Sequence, residues 1–112
     1  MSFSAQFLLY LQHYADKNID AVAELFADDI MLRDWKITVS GKAAAVHETA
    51  QNFASAATIA IEPLFLYEST TGVAGELRIL VNGETELYVV DVITFDAHGR
   101  IKSIRAYLGR GD

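Results

Sequence analysis

The strongest structural signal in the sequence is GVAGELRILVNGETELYVVDVITF, residues 72–95. Here two long runs rich in β-branched residues flank a tight-turn signal. Asn82 and Gly83 both tolerate a positive φ and are typical of a two-residue hairpin turn. The sequence therefore predicts two antiparallel strands, over residues 72–81 and 86–95.

Further strands are predicted before and after this hairpin, over residues 58–67 and 101–108. Pro63 cannot donate a ladder hydrogen bond, so the strand that contains it should lie at an edge or carry a bulge. A short strand over residues 30–34 should follow a turn at Asp28-Asp29.

The N-terminal half has helical periodicity. Residues 3–16 place apolar side chains three and four apart, which predicts an amphipathic helix. A second helix should begin at Asp20, a plausible N-cap, and a third is predicted over residues 42–54. Three helices followed by a strand meander predict one α+β domain, residues 1–112, whose helices and curved sheet enclose an apolar pocket.

Composition excludes several functional classes. The 112-residue chain is 52% hydrophobic and 21% charged, with a formal net charge of −6 and no cysteine. Phosphate binding needs clustered basic residues, so a nucleic-acid partner is not expected. Disulfides and thiolate metal sites are impossible without cysteine. With no apolar run of membrane-spanning length and no secretory signal, we expect a cytoplasmic protein with no membrane partner.

Successive side chains of residues 86–95 should alternate between the two faces of the sheet. Leu87, Val89, Asp91, Ile93 and Phe95 should point one way, toward the helices. The opposite face, which carries Tyr88, Val90 and Val92, is also apolar. If nothing in the monomer covers it, a symmetric homodimer through this outer face is the preferred explanation.

Asp91 breaks the apolar pattern of its own face. A lone buried carboxylate is costly, so such a group is usually paired, hydrogen-bonded or protonated. One interpretation is a satisfied core aspartate, or a face misassigned because of a bulge. The other is a neutral carboxylic acid that donates a hydrogen bond to a ligand.

Asp34 and Tyr10 are the other two candidates. Asp34 ends a short predicted strand next to Trp35, where a carboxylate at a pocket mouth suits a general base, although turn aspartates are common. Tyr10 lies on the apolar face of the first helix, where most tyrosines are core residues with a locally bonded hydroxyl.

Together these residues resemble ketosteroid isomerase, a family of the nuclear-transport-factor-2-like, cone-shaped α+β fold. The resemblance covers almost the whole chain. It is carried by LFADD at residues 25–29, Ser40-Gly41, and the segment from Gly99 to Gly109 with Arg105-Ala106. It places Tyr10 on the family's oxyanion tyrosine, Asp34 on its base and Asp91 on its protonated aspartic acid.

The resemblance implies a cofactor-independent isomerase, with no metal, acting on a small apolar carbonyl compound. This sequence departs from the family at three places. Trp35 follows the predicted base where the family often has proline, and the next loop is shorter. Glu48-Thr49-Ala50 lack the tyrosine that supports the oxyanion tyrosine. The expected pocket residues are Tyr14, Trp35, Val89, Ile93, Ile104, Ala106 and Leu108.

Two other functional classes remain open. The same fold hosts non-catalytic ligand-binding or dimerisation modules, and it hosts SnoaL-type cyclases and epoxide hydrolases. An epoxide-hydrolase-like arrangement would need Arg78 to point into the pocket with Asp91. Alternation instead places Arg78 on the outer face, paired with Glu76 or Glu86. His13, His47 and His98 show no metal-ligand spacing.

Overall fold

The computed structural model describes residues 1–109, in which three helices and six strands are formed. The helices are α1 (Phe3–Ala15), α2 (Ile19–Leu25) and α3 (Lys42–Ser55). The strands are β1 (Phe26–Arg33), β2 (Thr38–Ser40), β3 (Ile59–Glu68), β4 (Gly72–Val81), β5 (Thr85–Phe95) and β6 (Ile101–Leu108).

The six strands form one curved mixed sheet in the order β2-β1-β6-β5-β4-β3, with the helices packed on it. β1 and β6 run parallel, and the other neighbouring strands are antiparallel. The predicted α+β class is confirmed. We call the helix-covered side of the sheet the inner face and the opposite side the outer face.

The β-rich half matches its prediction closely. β3 lies at the sheet edge and its register shifts between Pro63 and Phe65, so both alternatives inferred from the proline are present. Asn82 and Gly83 adopt positive φ values of 56° and 69°. The loop, however, has three residues, because Val81 pairs with Thr85.

The first 40 residues required three corrections. Asp28 and Asp29 do not form a turn; they are exposed residues within β1, where the pairing with β6 is irregular. The N-cap of α2 is Asn18 and not Asp20, because the Asn18 side chain accepts a hydrogen bond from the Ala21 N–H. β2 was not predicted.

The core lies between the inner face and the helices, and Phe7 of α1 is fully buried in it. Its ring packs over Gly75 of β4, where a Cβ atom would lie 2.5 Å from the Phe7 Cζ. A side chain at position 75 would therefore overpack the core. The absence of a side chain lets α1 approach the middle of the sheet, beside the strand that carries Asp91.

Among the helices of residues 1–109, none is both long and apolar enough to cross a membrane.

Candidate active site

A cavity of about 300 Å³ lies between α1, α3, the β1–β2 loop and the inner face of the sheet. This volume is at the lower end of the range for small-molecule sites. Its sheet wall is apolar and consists of Leu32, Ile59, Ile61, Ile79, Val81, Leu87, Val89, Ile104 and Ala106 around Asp91.

Asp91 points from the middle of β5 into this cavity, where its side chain is only 9% exposed. Its neighbours across the sheet are Gly75 and Ala106, both too small to cover the carboxyl group. Burial raises the pKa of Asp91 from 3.8 to about 7, and no hydrogen bond from residues 1–109 opposes this shift. A substantial fraction of Asp91 is therefore uncharged at neutral pH.

Tyr10 faces the same cavity from the third turn of α1 and is 5% exposed. Burial raises the pKa of its phenol well above the ordinary value, and the electrostatic influence of the nearby Asp91 and Tyr14 raises it further. Its hydroxyl therefore remains protonated at neutral pH and can act as a hydrogen-bond donor.

Asp34 follows β1 and is held by the short loop that leads to β2. Its Oδ1 accepts hydrogen bonds from the backbone N–H groups of Lys36 and Ile37, at 2.7 and 2.9 Å. Its own N–H donates to the Ile37 carbonyl at 3.0 Å. These bonds fix the direction of the carboxyl group, and within residues 1–109 they leave Oδ2 without a partner.

The three candidates thus line one cavity, although their chain positions span 82 residues. They offer two different carboxyl groups: a buried one that accepts no hydrogen bond from residues 1–109, and a half-buried one that accepts two. A buried carboxyl group that is partly uncharged and a second one oriented by the backbone can divide the roles of hydrogen-bond donor and base.

Five of the seven predicted pocket residues line the cavity: Tyr14, Trp35, Val89, Ile104 and Ala106. Ile93 does not line this cavity. Ile93 shares the face of Asp91 but lies two residues further along β5, where it is fully buried in the core. Leu108 does not line it either, because Leu108 ends β6 and is 48% exposed.

Comparison with known proteins identifies the family. Residues 8–104 match the SnoaL-like domain. The chain belongs to this family. It is 33% identical over 108 residues to a protein named steroid delta-isomerase from Nocardioides simplex, with 92% of this chain and 86% of that protein covered.

Solved structures show the same fold at lower identity. An NTF2-like protein from Cytophaga hutchinsonii superposes with a TM-score of 0.82 at 12% identity, covering 97% of this chain and 91% of that one. The epoxide hydrolase/cyclase-like enzyme SalBIII gives 0.79 at 24% identity, covering 92% and 87%. These likenesses place the SnoaL-like domain within the NTF2-like fold.

Sequence reasoning missed the polar wall of this SnoaL-like domain. One side of α3 presents Glu48, Thr49, Asn52 and Ser55 to the cavity. Their spacing of one, three and three residues repeats on one helical face, which was the available signal. Polar residues on a helix ordinarily indicate the solvent side, so this pattern did not suggest a cavity wall.

Arg78 lies on the outer face of the SnoaL-like domain, as alternation predicted. Its Nε donates to Glu86 at 2.7 Å, and its Nη1 is 3.8 Å from Glu62. It does not line the cavity, so it cannot form an epoxide-hydrolase-like arrangement with Asp91. Within residues 1–109, no group of three or more histidine or acidic side chains is arranged to hold a metal ion.

Proposed function

We propose that this SnoaL-like domain is a cofactor-independent isomerase that moves a proton along a small, largely apolar carbonyl compound. Asp34 is the base, and Tyr10 and uncharged Asp91 are the donors to the carbonyl oxygen. The observation that carries the proposal is that these three groups, and an apolar sheet wall, share one cavity. The relative named steroid delta-isomerase supports the same reaction class.

The reaction proceeds in two proton transfers. The free Oδ2 of Asp34 removes a proton from the carbon between the carbonyl and a neighbouring double bond, and the electron pair moves onto the carbonyl oxygen. The hydroxyl of Tyr10 and the protonated carboxyl of Asp91 donate hydrogen bonds to the resulting dienolate. Asp34 then returns the proton to the far carbon of the double bond, as in ketosteroid isomerase.

Burial makes both donors effective. Hydrogen bonds to a developing negative charge are stronger in a water-poor site, and donors fixed in advance need no reorganisation. Tyr10 is held between Tyr14, at a ring-centroid distance of 5.8 Å, and Phe26, at 6.4 Å. Its hydroxyl therefore has little freedom to turn away from the cavity.

The charges of the cavity favour a neutral substrate. Asp34 and Glu48 both line it, and Lys36 is the basic residue at its edge. An anionic substrate would meet two carboxylates as well as the charged fraction of Asp91. A neutral ketone avoids this repulsion until the transition state, where the negative charge develops next to Tyr10 and Asp91.

Conversion of a β,γ-unsaturated ketone into its conjugated isomer, followed by enone absorbance, tests this proposal. We expect the wild-type protein to be active. Tyr10→Phe should lower kcat by about 10- to 1,000-fold with a smaller change in KM, because it removes one donor to the oxyanion. Tyr107→Phe, an exposed tyrosine of β6, is the matched control. Wild-type protein without activity toward any such ketone would refute the proposal.

We also propose that two copies associate through the outer face of the sheet. Phe65, Glu76, Val90 and Tyr107 are cross-strand neighbours in one row across four strands, and Tyr67, Ala74, Val92 and Arg105 form the next row. Phe65, Tyr67 and Tyr107 are 62%, 61% and 55% exposed. An apolar patch that also holds both Glu76 and Arg105 suits a two-fold contact, in which each charge meets its opposite.

Light scattering on the purified chain tests this association. We expect the mass of a dimer for the wild type and of a monomer for Val90→Glu, which puts a charge at the centre of the patch. Circular dichroism should show the same secondary structure for both. A wild-type mass equal to one chain would contradict the proposal.

A further inference from the structure

The cavity holds a second polar point that the isomerase proposal does not use. Tyr14 lies one helical turn after Tyr10 on α1, and Asn52 lies on α3; both line the cavity. The Asn52 Nδ2 donates a hydrogen bond to the Tyr14 hydroxyl at 3.2 Å. Because Tyr14 accepts this bond, its own proton remains available for another acceptor.

The Tyr14 ring is fixed by its neighbours. It packs edge-on against Phe53 at a centroid distance of 4.8 Å and against Tyr10 at 5.8 Å. Burial raises the pKa of its phenol, the Asn52 hydrogen bond opposes this, and the charges of Asp91 and Asp34 raise it further. The hydroxyl is therefore a protonated and oriented donor beside the reacting groups.

Asn52 adds a hydrogen-bond acceptor and a further donor next to the Tyr14 hydroxyl. Within residues 1–109 its Oδ1 accepts no hydrogen bond, and the one made by its Nδ2 uses a single N–H. The pair thus offers a hydroxyl donor, an amide donor and an amide acceptor at one place. By contrast, Thr49 on the same wall donates its hydroxyl to the Ala45 carbonyl at 2.8 Å, so that donor is already used.

We propose that Tyr14 and Asn52 bind a hydroxyl or carbonyl group of the substrate that is remote from the reacting carbonyl. This inference rests on the proposed function and narrows its substrate class. The substrate is a neutral compound with one apolar face toward the sheet and one polar edge toward α3. Tyr14 is half-buried and Asn52 is exposed to solvent. A hydrocarbon-like ketone in the cavity would displace water from this pair without replacing its hydrogen bonds, which is unfavourable.

Binding of small aromatic probes tests this inference without turnover. The probes are a naphthol and the set of dihydroxynaphthalenes that carry a second hydroxyl at each position of the far ring, measured by titration calorimetry. We expect at least one diol to bind the wild type about three- to tenfold more tightly than the naphthol, as one added hydrogen bond allows.

Tyr14→Phe and Asn52→Leu should remove this preference while keeping affinity for the naphthol, which also shows that the variants are folded. The matched controls are Tyr107→Phe, on the outer face of the sheet, and Gln51→Leu, at the exposed neighbour of Asn52 on α3. Neither residue lines the cavity, so both variants should keep the preference. Equal binding of all probes by the wild type, or a preference that survives in both cavity variants, would overturn the inference.

The result is separable from the isomerase proposal, because calorimetry reports binding and not proton transfer. A diol preference that disappears in Tyr14→Phe supports the second binding point even if the protein isomerises no ketone.

Discussion

Asp34→Asn is expected to lower kcat for ketone isomerisation by about 100- to 10,000-fold, which is the usual contribution of a positioned general base. The asparagine amide keeps a side-chain oxygen that can accept the bonds now made by Lys36 and Ile37 to Oδ1. It cannot accept a proton at the position of Oδ2. The loop should therefore keep its shape while the chemical step is lost, with little change in KM.

Asp29→Asn is the control for this experiment, because Asp29 is an exposed acid within β1 that does not line the cavity. It should retain wild-type kcat. If Asp34→Asn keeps wild-type kcat as well, Asp34 is not the base, and the half-buried Glu48 becomes the next carboxylate to test.

Asp91→Asn is expected to change how stability depends on pH. The folded-state pKa of Asp91 is raised from 3.8 to about 7, so the folded protein binds the proton more tightly than the unfolded chain. The free energy of unfolding of the wild type, compared with that of the variant, should therefore be highest below about pH 4. This difference should fall as pH rises through 7. A shift of this size corresponds to roughly 4 kcal/mol.

Asparagine has nearly the same size as aspartate and no charge, so the variant should not lose this stability as pH rises. Chemical denaturation at several pH values gives the free energy of unfolding of both proteins, and their difference isolates Asp91 from the other acids. Parallel curves for wild type and Asp91→Asn between pH 4 and 8 would mean that Asp91 ionises as an ordinary surface acid does.

Both expectations depend on the contrast between two carboxyls in one cavity. Asp91 is buried beside Gly75 and Ala106, and within residues 1–109 it makes no hydrogen bond that stabilises its charge. Asp34 accepts two backbone hydrogen bonds at the cavity edge. Burial favours the neutral form of Asp91, and the two backbone hydrogen bonds fix the direction of the Asp34 carboxyl group.

The parts that sequence predicted well are those set by local periodicity. Alternation along β5 correctly separated buried Val89, Asp91 and Ile93 from half-buried Val90 and Val92. The same alternation marked Asp91 as a polar residue on an apolar face, which is why the anomaly could be seen without a structure.

The parts that it missed depend on contacts between distant segments. Ile93 and Ala106 both lie on the inner face, but only Ala106 reaches the cavity, because the helices cover the sheet at Ile93. The irregular pairing of β1 around Asp28 and Asp29 is stabilised by β6, more than 70 residues away. No local pattern records either arrangement.

The polar face of α3 was not predicted to line a cavity. Asn52 and its polar neighbours were passed over because a polar helix face usually meets solvent. Here that face lies across the cavity from an apolar sheet wall, and the pairing of Asn52 with Tyr14 became visible only when α1 and α3 were placed together.

The proposed site is tested most directly by the protonation of Asp91 itself. The ¹³C chemical shift of its side-chain carboxyl reports this protonation, and the signal is assigned by its absence in Asp91→Asn. We expect a titration with a midpoint of about 7 in the ligand-free protein. A carboxyl that is fully ionised by about pH 5, in the ordinary range for aspartate, would contradict the proposed role of Asp91.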